Sequence, residues 1–196
     1  MVGGLLDVVL GSAGCLFVVV SSTGVTGGFR LRGYAGGSGR LDVIARCILV
    51  SQLCPHCGFI GVLLGPPRPP RVLVVKPGVV FRSERDVVVE LARVLERGST
   101  GYMEVLDVGF EWLVNVIGRS GFRHVLLKED GRSAFKDPGL VSGRAAFYLG
   151  SHVDMPDWAE ALVRRSGAIS VSLGPLSVHS EHAMLAVLLL RGELEG

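Results

Sequence analysis

The sequence lacks any uninterrupted apolar run of membrane-spanning length. Its longest uncharged stretch, residues 8–29, is long enough on paper to cross a bilayer. Gly11, Ser12, Gly14, Ser21, Ser22, Thr23, Gly24, Thr26, Gly27 and Gly28 interrupt it, and only Leu16 to Val20 reads as a continuous apolar strand. No Lys or Arg precedes Arg30, so the basic region of a secretory signal is missing too. A cytoplasmic protein with no membrane partner is expected. Net charge is nearly absent, at +2, and lysine is scarce, since 17 of the 20 basic residues are arginine. The chain has no internal repeat, no linker that would divide it, no P-loop and no GxGxxG. Glycine is abundant, 28 of 196 residues and roughly twice ordinary usage. It has no Gly-x-y period, which excludes collagen, and it falls between apolar runs where tight turns belong.

What is present is apolar enough to fold: 48% of residues belong to the hydrophobic set, too many for a disordered chain, and about 200 residues suffice for one α/β domain with a sizeable core. The small net charge conceals an asymmetry. Residues 1–85 hold nine Lys/Arg against three Asp/Glu, and residues 86–196 hold eleven against fifteen. The basic first part suits an anionic partner, with nucleic-acid phosphates first in line; solvated arginine scattered over a surface is the plainer alternative.

Short apolar runs bounded by Gly/Pro alternate with helix-period segments, the pattern of an α/β domain with a largely parallel sheet. Strands are expected at Leu16–Val20, Phe59–Leu64, Arg71–Val75, Tyr102–Asp107, His124–Lys128, Ala146–Leu149 and Ile169–Leu173. Helices are expected at Leu41–Leu53, Arg85–Arg97, Phe110–Ile117, Pro156–Arg165 and Glu181–Arg191. The clearest is the second: Ser83 can cap it, Val88, Leu91, Ala92 and Leu95 form one stripe, and Gly98 ends it.

Four local constellations bear on chemistry. Cys54-Pro55-His56-Cys57 has the letters of an oxidising CxxC motif, but such motifs open a helix after a strand and here the order is reversed. A zinc site needs a second ligand pair, which Cys15 and Cys47 do not supply as a second CxxC. A structural turn or disulfide is therefore expected, and no metal. Asp42 and Arg46 share a face of an otherwise apolar helix that follows Gly36-Gly37-Ser38-Gly39-Arg40. They form either an i,i+4 ion pair or a substrate-facing polar stripe suited to proton removal beside a phosphate contact. Gly65-Pro66-Pro67-Arg68-Pro69-Pro70 is expected to be a rigid loop presenting Arg68 and Arg71. Ser172-Leu173-Gly174-Pro175-Leu176-Ser177 lies between a strand and the last helix, where glycine permits close approach of a ligand to the backbone.

The order of the segments GGSGRLDVIARC, GPPRPP, SERDVVVEL, GFEWLV, LLKEDG, FYLGSH and ISVSLGPLS resembles the archaeal tRNA pseudouridine N1-methyltransferases, members of the SPOUT class of knotted methyltransferases. The likeness runs from about Cys15 to Leu190. It implies a SPOUT-type, mostly parallel α/β sheet flanked by helices with a C-terminal trefoil knot, over residues 15–196, preceded by a 1–14 extension of unknown role. It further implies a homodimer, S-adenosyl-L-methionine as cofactor, and the T-arm of tRNA as partner, methylated at N1 of the T-loop pseudouridine-54. Carried over by the resemblance, cofactor contacts fall to Leu127, Gly150, Leu173, Gly174, Pro175, Leu176, Ser177, Val178 and Ala183. Asp42 is the candidate catalytic residue, with Arg40, Arg46, Arg68 and Arg71 on RNA. Three departures from the family pattern stand out: Ala183 replaces a cysteine, Ser151 replaces an aspartate, and the end of the last helix is apolar. The first two keep an RNA-binding protein without transfer activity in view, beside an rRNA pseudouridine N1-methyltransferase of the same class, and the third bears on the dimer surface or helix terminus. His152 and His182 suit a capping or core role as well as a catalytic one.

Overall fold

The computed structural model describes residues 4–194; positions 1–3 of the expected extension and 195–196 of the expected domain lie outside them. Gly4 leads into α1 (Leu5–Ser12), followed by β1 (Cys15–Ser21), a short α2 (Tyr34–Gly37), α3 (Leu41–Ser51), β2 (Cys57–Leu63) and β3 (Arg71–Val75). Then come α4 (Glu84–Arg97), β4 (Met103–Leu106), α5 (Phe110–Arg119), β5 (Arg123–Ser133), a 3-10 turn at Pro138–Val141, β6 (Ala145–Gly150), α6 (Asp157–Arg165), β7 (Ile169–Ser172) and α7 (Ser180–Leu190). All seven expected strands are present and form one sheet in the order β4-β3-β2-β1-β6-β5-β7. β1 pairs parallel with β2 and β6, and β5 parallel with β6 and β7; β3 is antiparallel to β2 and β4. The sheet is α/β and mostly parallel. Among the described residues no helix is long and apolar enough to cross a membrane.

The central strand explains the architecture. Every residue of β1 is buried, because helices cover both sheet faces, as parallel sheets require. Cys15, Phe17 and Val19 point to the side covered by α3, α4 and α7, and Leu16, Val18 and Val20 to the side covered by α1, α5 and α6. α1 was not expected from the sequence. It buries Leu6, Val9 and Leu10 against the second face. α4 forms as its sequence dictates: Ser83 Oγ accepts the Asp86 N–H at 3.2 Å, Val87, Val88, Leu91, Val94 and Leu95 are buried, and Gly98 closes the helix.

Cys54–Cys57 forms the expected turn, the Cys57 N–H donating to Cys54 O at 3.1 Å, while the disulfide joins Cys57 to Cys15, its register partner on the neighbouring strand, and Cys54 is a free, buried thiol. A local CxxC spacing could not reveal this, because pairing across β1 and β2 joins residues 42 apart. Arg71 is not presented on the proline loop. It opens β3 and is 5% exposed; its guanidinium donates to Asp107 Oδ1 at 2.7 Å and to the carbonyl oxygens of Thr26 and Leu95 at 2.8 and 3.1 Å. The guanidinium thereby satisfies two backbone carbonyls and one carboxylate, and the arginine is spent on them.

β5 is longer than its apolar segment. Leu127 pairs with Val171 and so does Arg132, while the Ala134 N–H donates to Ser172 O at 2.9 Å. The polar KEDGRS segment thus returns to Val171, the β7 residue that Leu127 already meets. Gly131 makes the return possible, since a Cβ there would stand 2.5 Å from Val171 N. We expect Gly131→Ala to cost about 1–3 kcal/mol as an overpacked site, or about 2–4 °C of melting temperature per kcal/mol in a chain of this size. Gly101→Ala, with open space around it, is the control. Equal melting temperatures for the two variants would contradict the close approach.

Candidate cofactor cavity and nucleic-acid face

Three segments meet at the carboxyl end of the parallel strands: Leu126 to Glu129 of β5, Leu149 to Met155 after β6, and Leu173 to Ala183 after β7. Ligands of open α/β sheets bind at such ends. The cavity between them is about 520 Å³, within the range of small-molecule sites. Leu126, Leu149, Leu173 and Ala183 give it apolar walls, and the rim is polar. Gly150 lets the β6 segment fold onto itself, because a Cβ there would meet Val153 O at 2.3 Å. Ser180 Oγ donates to Gly150 O at 2.8 Å and also to Ser151 O, which fastens the start of α7 to the β6 loop.

Of the expected cofactor residues, Leu127, Gly150, Leu173, Gly174, Leu176, Ser177, Val178 and Ala183 line the cavity, and Pro175 does not. Residues that sequence reading did not assign to it include Lys128, Glu129, His152, Asp154, His179 and His182. His179 and His182 stack edge to face 5.7 Å apart. His152 lies between Ser151 Oγ at 3.2 Å and Thr23 Oγ1 at 3.5 Å. His152 and His182 are sequence candidates whose capping, core or catalytic role the sequence leaves open, whereas His179 has only its proximity to the SLGPLS segment. Lys128 reaches Asp154 at 3.4 Å and Glu160 at 3.3 Å. Burial alone would lower its pKa, but these two carboxylates outweigh it and hold the ammonium above its ordinary range.

Asp42 does not line the cavity. It sits on α3, buried, with Arg40 Nε and Nη2 each donating to its carboxylate at 3.0 Å and Arg46 Nη1 at 3.1 Å. Burial pushes this carboxyl up, yet the two guanidinium groups prevail and its pKa lies below the usual value. The i,i+4 ion pair foreseen from the sequence is present. Arg46 also donates to Glu181 of α7 at 2.8 Å and lies 3.6 Å from Glu84 of α4. Its charge is therefore shared among three carboxylates of three helices, and it ties α3 to the helix that closes the cavity. Arg40 is held in the left-handed region, φ 67°, at the head of α3, with its side chain 45% exposed. A non-glycine residue so held marks a functional candidate. Arg68 is exposed on the proline loop, whose position is set by Thr26 Oγ1 accepting the Arg68 N–H at 2.8 Å. Arg68 is thus presented outward and Arg40 is half exposed while paired with Asp42, whereas Arg46 and Arg71 are engaged internally.

Comparison with known proteins gives this arrangement a context. The family model described as "Putative SAM-dependent RNA methyltransferase" matches residues 15–194. A protein of Aeropyrum pernix named tRNA (pseudouridine(54)-N(1))-methyltransferase is 39% identical over 181 residues, covering 90% of this chain and 93% of that one. A protein of the same name from Methanocella arvoryzae is 31% identical over 189 residues, with coverages of 87% and 95%. Among solved structures, "Crystal structure of Archaeoglobus Fulgidus Nep1 bound to S-adenosylhomocysteine" superposes with a TM-score of 0.65 at 18% identity, over 93% of this chain and 99% of that one. This last likeness is one of fold.

The Asp42 cluster has a pH signature. Its folded pKa lies below the unfolded value of about 3.9, so its ion pairs stabilise the fold fully above that pH. The contribution fades as pH falls through the folded pKa. Asp42→Asn should lower the melting temperature at neutral pH and have a shrinking effect as the solution is acidified below about pH 4. Equal destabilisation at all pH values would show that the carboxylate charge is not what matters.

Proposed function

Because the chain belongs to the family of S-adenosylmethionine-dependent RNA methyltransferases, we propose that it methylates N1 of pseudouridine-54 in the T-loop of tRNA. The observation that carries this reading is the 39% identity, over 90% of the chain, to the Aeropyrum pernix protein of that name. The family match also spans every residue that lines the cavity.

The cavity fits S-adenosylmethionine in size and chemistry. Its apolar walls suit a purine ring, and the glycine backbone at Gly150 and Gly174 permits close polar contact. When bound, that cofactor supplies a methyl carbon on a positively charged sulfur, open to in-line attack by nitrogen. The residues proposed to hold it are Leu127, Gly150, Leu173, Gly174, Leu176, Ser177, Val178 and Ala183, with Pro175 stiffening the loop behind them. Fixing both reactants in line can contribute up to roughly 7–11 kcal/mol of barrier lowering, which is the main demand on the protein.

Arg40 and Arg68 are proposed to take RNA phosphates, and the target base must leave its stack to reach the cavity. Arg46 serves this face indirectly, by joining Asp42, Glu84 and Glu181. Asp42, the proposed proton acceptor for N1–H, is ionised at neutral pH. Its oxygens are engaged by Arg40 and Arg46, so this role requires Arg40 to turn to the RNA and uncover the carboxylate, which then accepts the N1–H.

Three further readings complete the proposal. The pairing of Val171 with both Leu127 and Arg132 supports a chain that wraps β7, as in a trefoil knot. Exposed Leu176, Val178 and Leu189 around α7 support a homodimer formed on that face. The two cores, built on opposite faces of one sheet, support a single domain over residues 15–196 with α1 added to it. A tRNA substrate supports a cytoplasmic location.

The test is transfer of a labelled methyl group from S-adenosylmethionine to T-arm RNA carrying pseudouridine or uridine at the target position, read by mass spectrometry of the nucleosides. N1-methylpseudouridine from the first RNA alone is expected; no product with either would overturn the proposal. Ala183→Phe should fill the cavity and remove detectable cofactor binding in titration calorimetry. Arg68→Ala should leave cofactor affinity unchanged, weaken RNA binding and reduce its salt slope by about 1.

A further inference from the structure

The side chains around Cys54 carry chemistry that methyl transfer does not use. Cys54 Sγ, Cys57 Sγ and a carboxylate oxygen of Glu193 all lie within 4.8 Å of one another, and Cys54 Sγ contacts Glu193 Oε2 at 3.4 Å. Both cysteines are buried, at 1% and 4% exposure. Cys15, bonded to Cys57, adds a third sulfur beside this group. The sequence offered one CxxC with no second pair. Strand pairing supplies Cys15 from residue 15, and the segment after α7 supplies Glu193 from the other end of the chain.

We propose that the reduced protein binds one thiophilic divalent cation of the zinc type through Cys54, Cys57 and Glu193, with Cys15 as the fourth donor. Ligands at about 2.3 Å on a tetrahedron stand roughly 3.8 Å apart, against the 4.8 Å that bounds Cys54, Cys57 and Glu193; Cys15, outside that group, would join it once its bond to Cys57 is broken. Three sulfurs and one oxygen in a buried setting form a closed structural site of the kind zinc prefers over harder cations. Thiol reductants open the site: a dithiol takes up the Cys15–Cys57 disulfide, becoming a disulfide itself and leaving two protein thiols. Binding then releases one proton from each of Cys15, Cys54 and Cys57 to solvent, while the Glu193 carboxylate binds as the anion. Oxidation to the Cys15–Cys57 disulfide removes two of the four ligands, so disulfide and metal are alternative states of one locus.

The consequence reaches α7. Glu193 follows that helix and is paired with Arg191 at 3.1 Å, whose guanidinium also donates to Gly143 O at 2.9 Å and to Val141 O at 2.6 Å. A cation held by Glu193 would pin the end of α7 to the amino ends of β1 and β2, at the far end of the helix from the cavity-lining Ala183.

The test uses the full chain reduced with a phosphine, which does not compete as a thiol, and titrated with cobalt(II) as a spectroscopic stand-in for zinc. The expected result is one cobalt per chain, thiolate-to-metal charge-transfer absorption with the intense visible bands of tetrahedral cobalt, and displacement by zinc. Cys54→Ser should weaken binding by more than the roughly 10- to 100-fold typical of losing an outer-shell partner. Glu193→Gln should weaken it while keeping the charge-transfer band, and Cys47→Ser, which removes the other free thiol, should change nothing. Disulfide-bonded protein should not bind. Absence of stoichiometric cobalt binding by the reduced protein, or binding that Cys54→Ser leaves intact, would overturn the proposal. Neither result bears on methyl transfer, which is read separately.

Discussion

The close return of the chain past Val171 is the constraint on which the rest of the structure depends. Parallel strands β5, β6 and β7 place their carboxyl ends side by side, but a cavity forms there only if the segments that follow fold back over it. β5 does so by meeting Val171 twice, through Leu127 and Arg132, with Gly131 packed against the Val171 backbone. β6 does so through Gly150, folded onto Val153. α7 is then fastened to that loop by Ser180. Each contact is backbone against backbone or hydroxyl against carbonyl, so the shape is set by main-chain approach more than by side-chain filling.

A second network runs across the helices on one face of the sheet. Arg46 joins Asp42 on its own helix to Glu84 of α4 and Glu181 of α7. The basic character of the first part of the sequence is thereby divided between two uses. Some arginines are consumed in holding helices and buried carbonyls together, as Arg46 and Arg71 are. Arg68 faces outward, and Arg40 is half exposed while paired with Asp42. On the proposed reading, Arg40 and Arg68 meet RNA while the Asp42 cluster keeps the RNA face and the cofactor helix in fixed register. Charge asymmetry counted along a sequence does not separate these uses, because the separation depends on which carboxylates fold nearby.

Much of the fold is legible in the sequence, for identifiable reasons. The seven strands show themselves because strands covered on both faces are continuous Val/Leu/Ile/Phe runs bounded by Gly or Pro, and α4 shows itself by cap, stripe and terminal glycine. α1 escapes notice because it begins at Gly4 without a side-chain cap and its residues are nearly all apolar, which hides any period. The second half of β5 escapes notice because KEDGRS is polar and pairs only with a strand about 40 residues later. Arg71 and the Cys15–Cys57 bond are invisible for the same reason, since each is fixed by partners brought in by sheet register. The cavity loops were located by resemblance to a family and not by periodicity; of the residues carried over, only Pro175 falls outside the lining. Of the histidines at the rim, His152 and His182 stand out in the sequence without their role being legible, and His179 has no signal apart from lying next to those loops.

The proposed function requires the cavity at the ends of β5, β6 and β7 to be the methyl-donor site. The most direct measurement is a crystal structure of the protein grown with S-adenosylhomocysteine. The predicted result is electron density for the product between Leu127, Gly150 and the Leu173–Ala183 segment, with its sulfur open toward the side on which Arg40 and Asp42 lie. Density for it at any other place on the protein, with this cavity holding only solvent, would contradict the account.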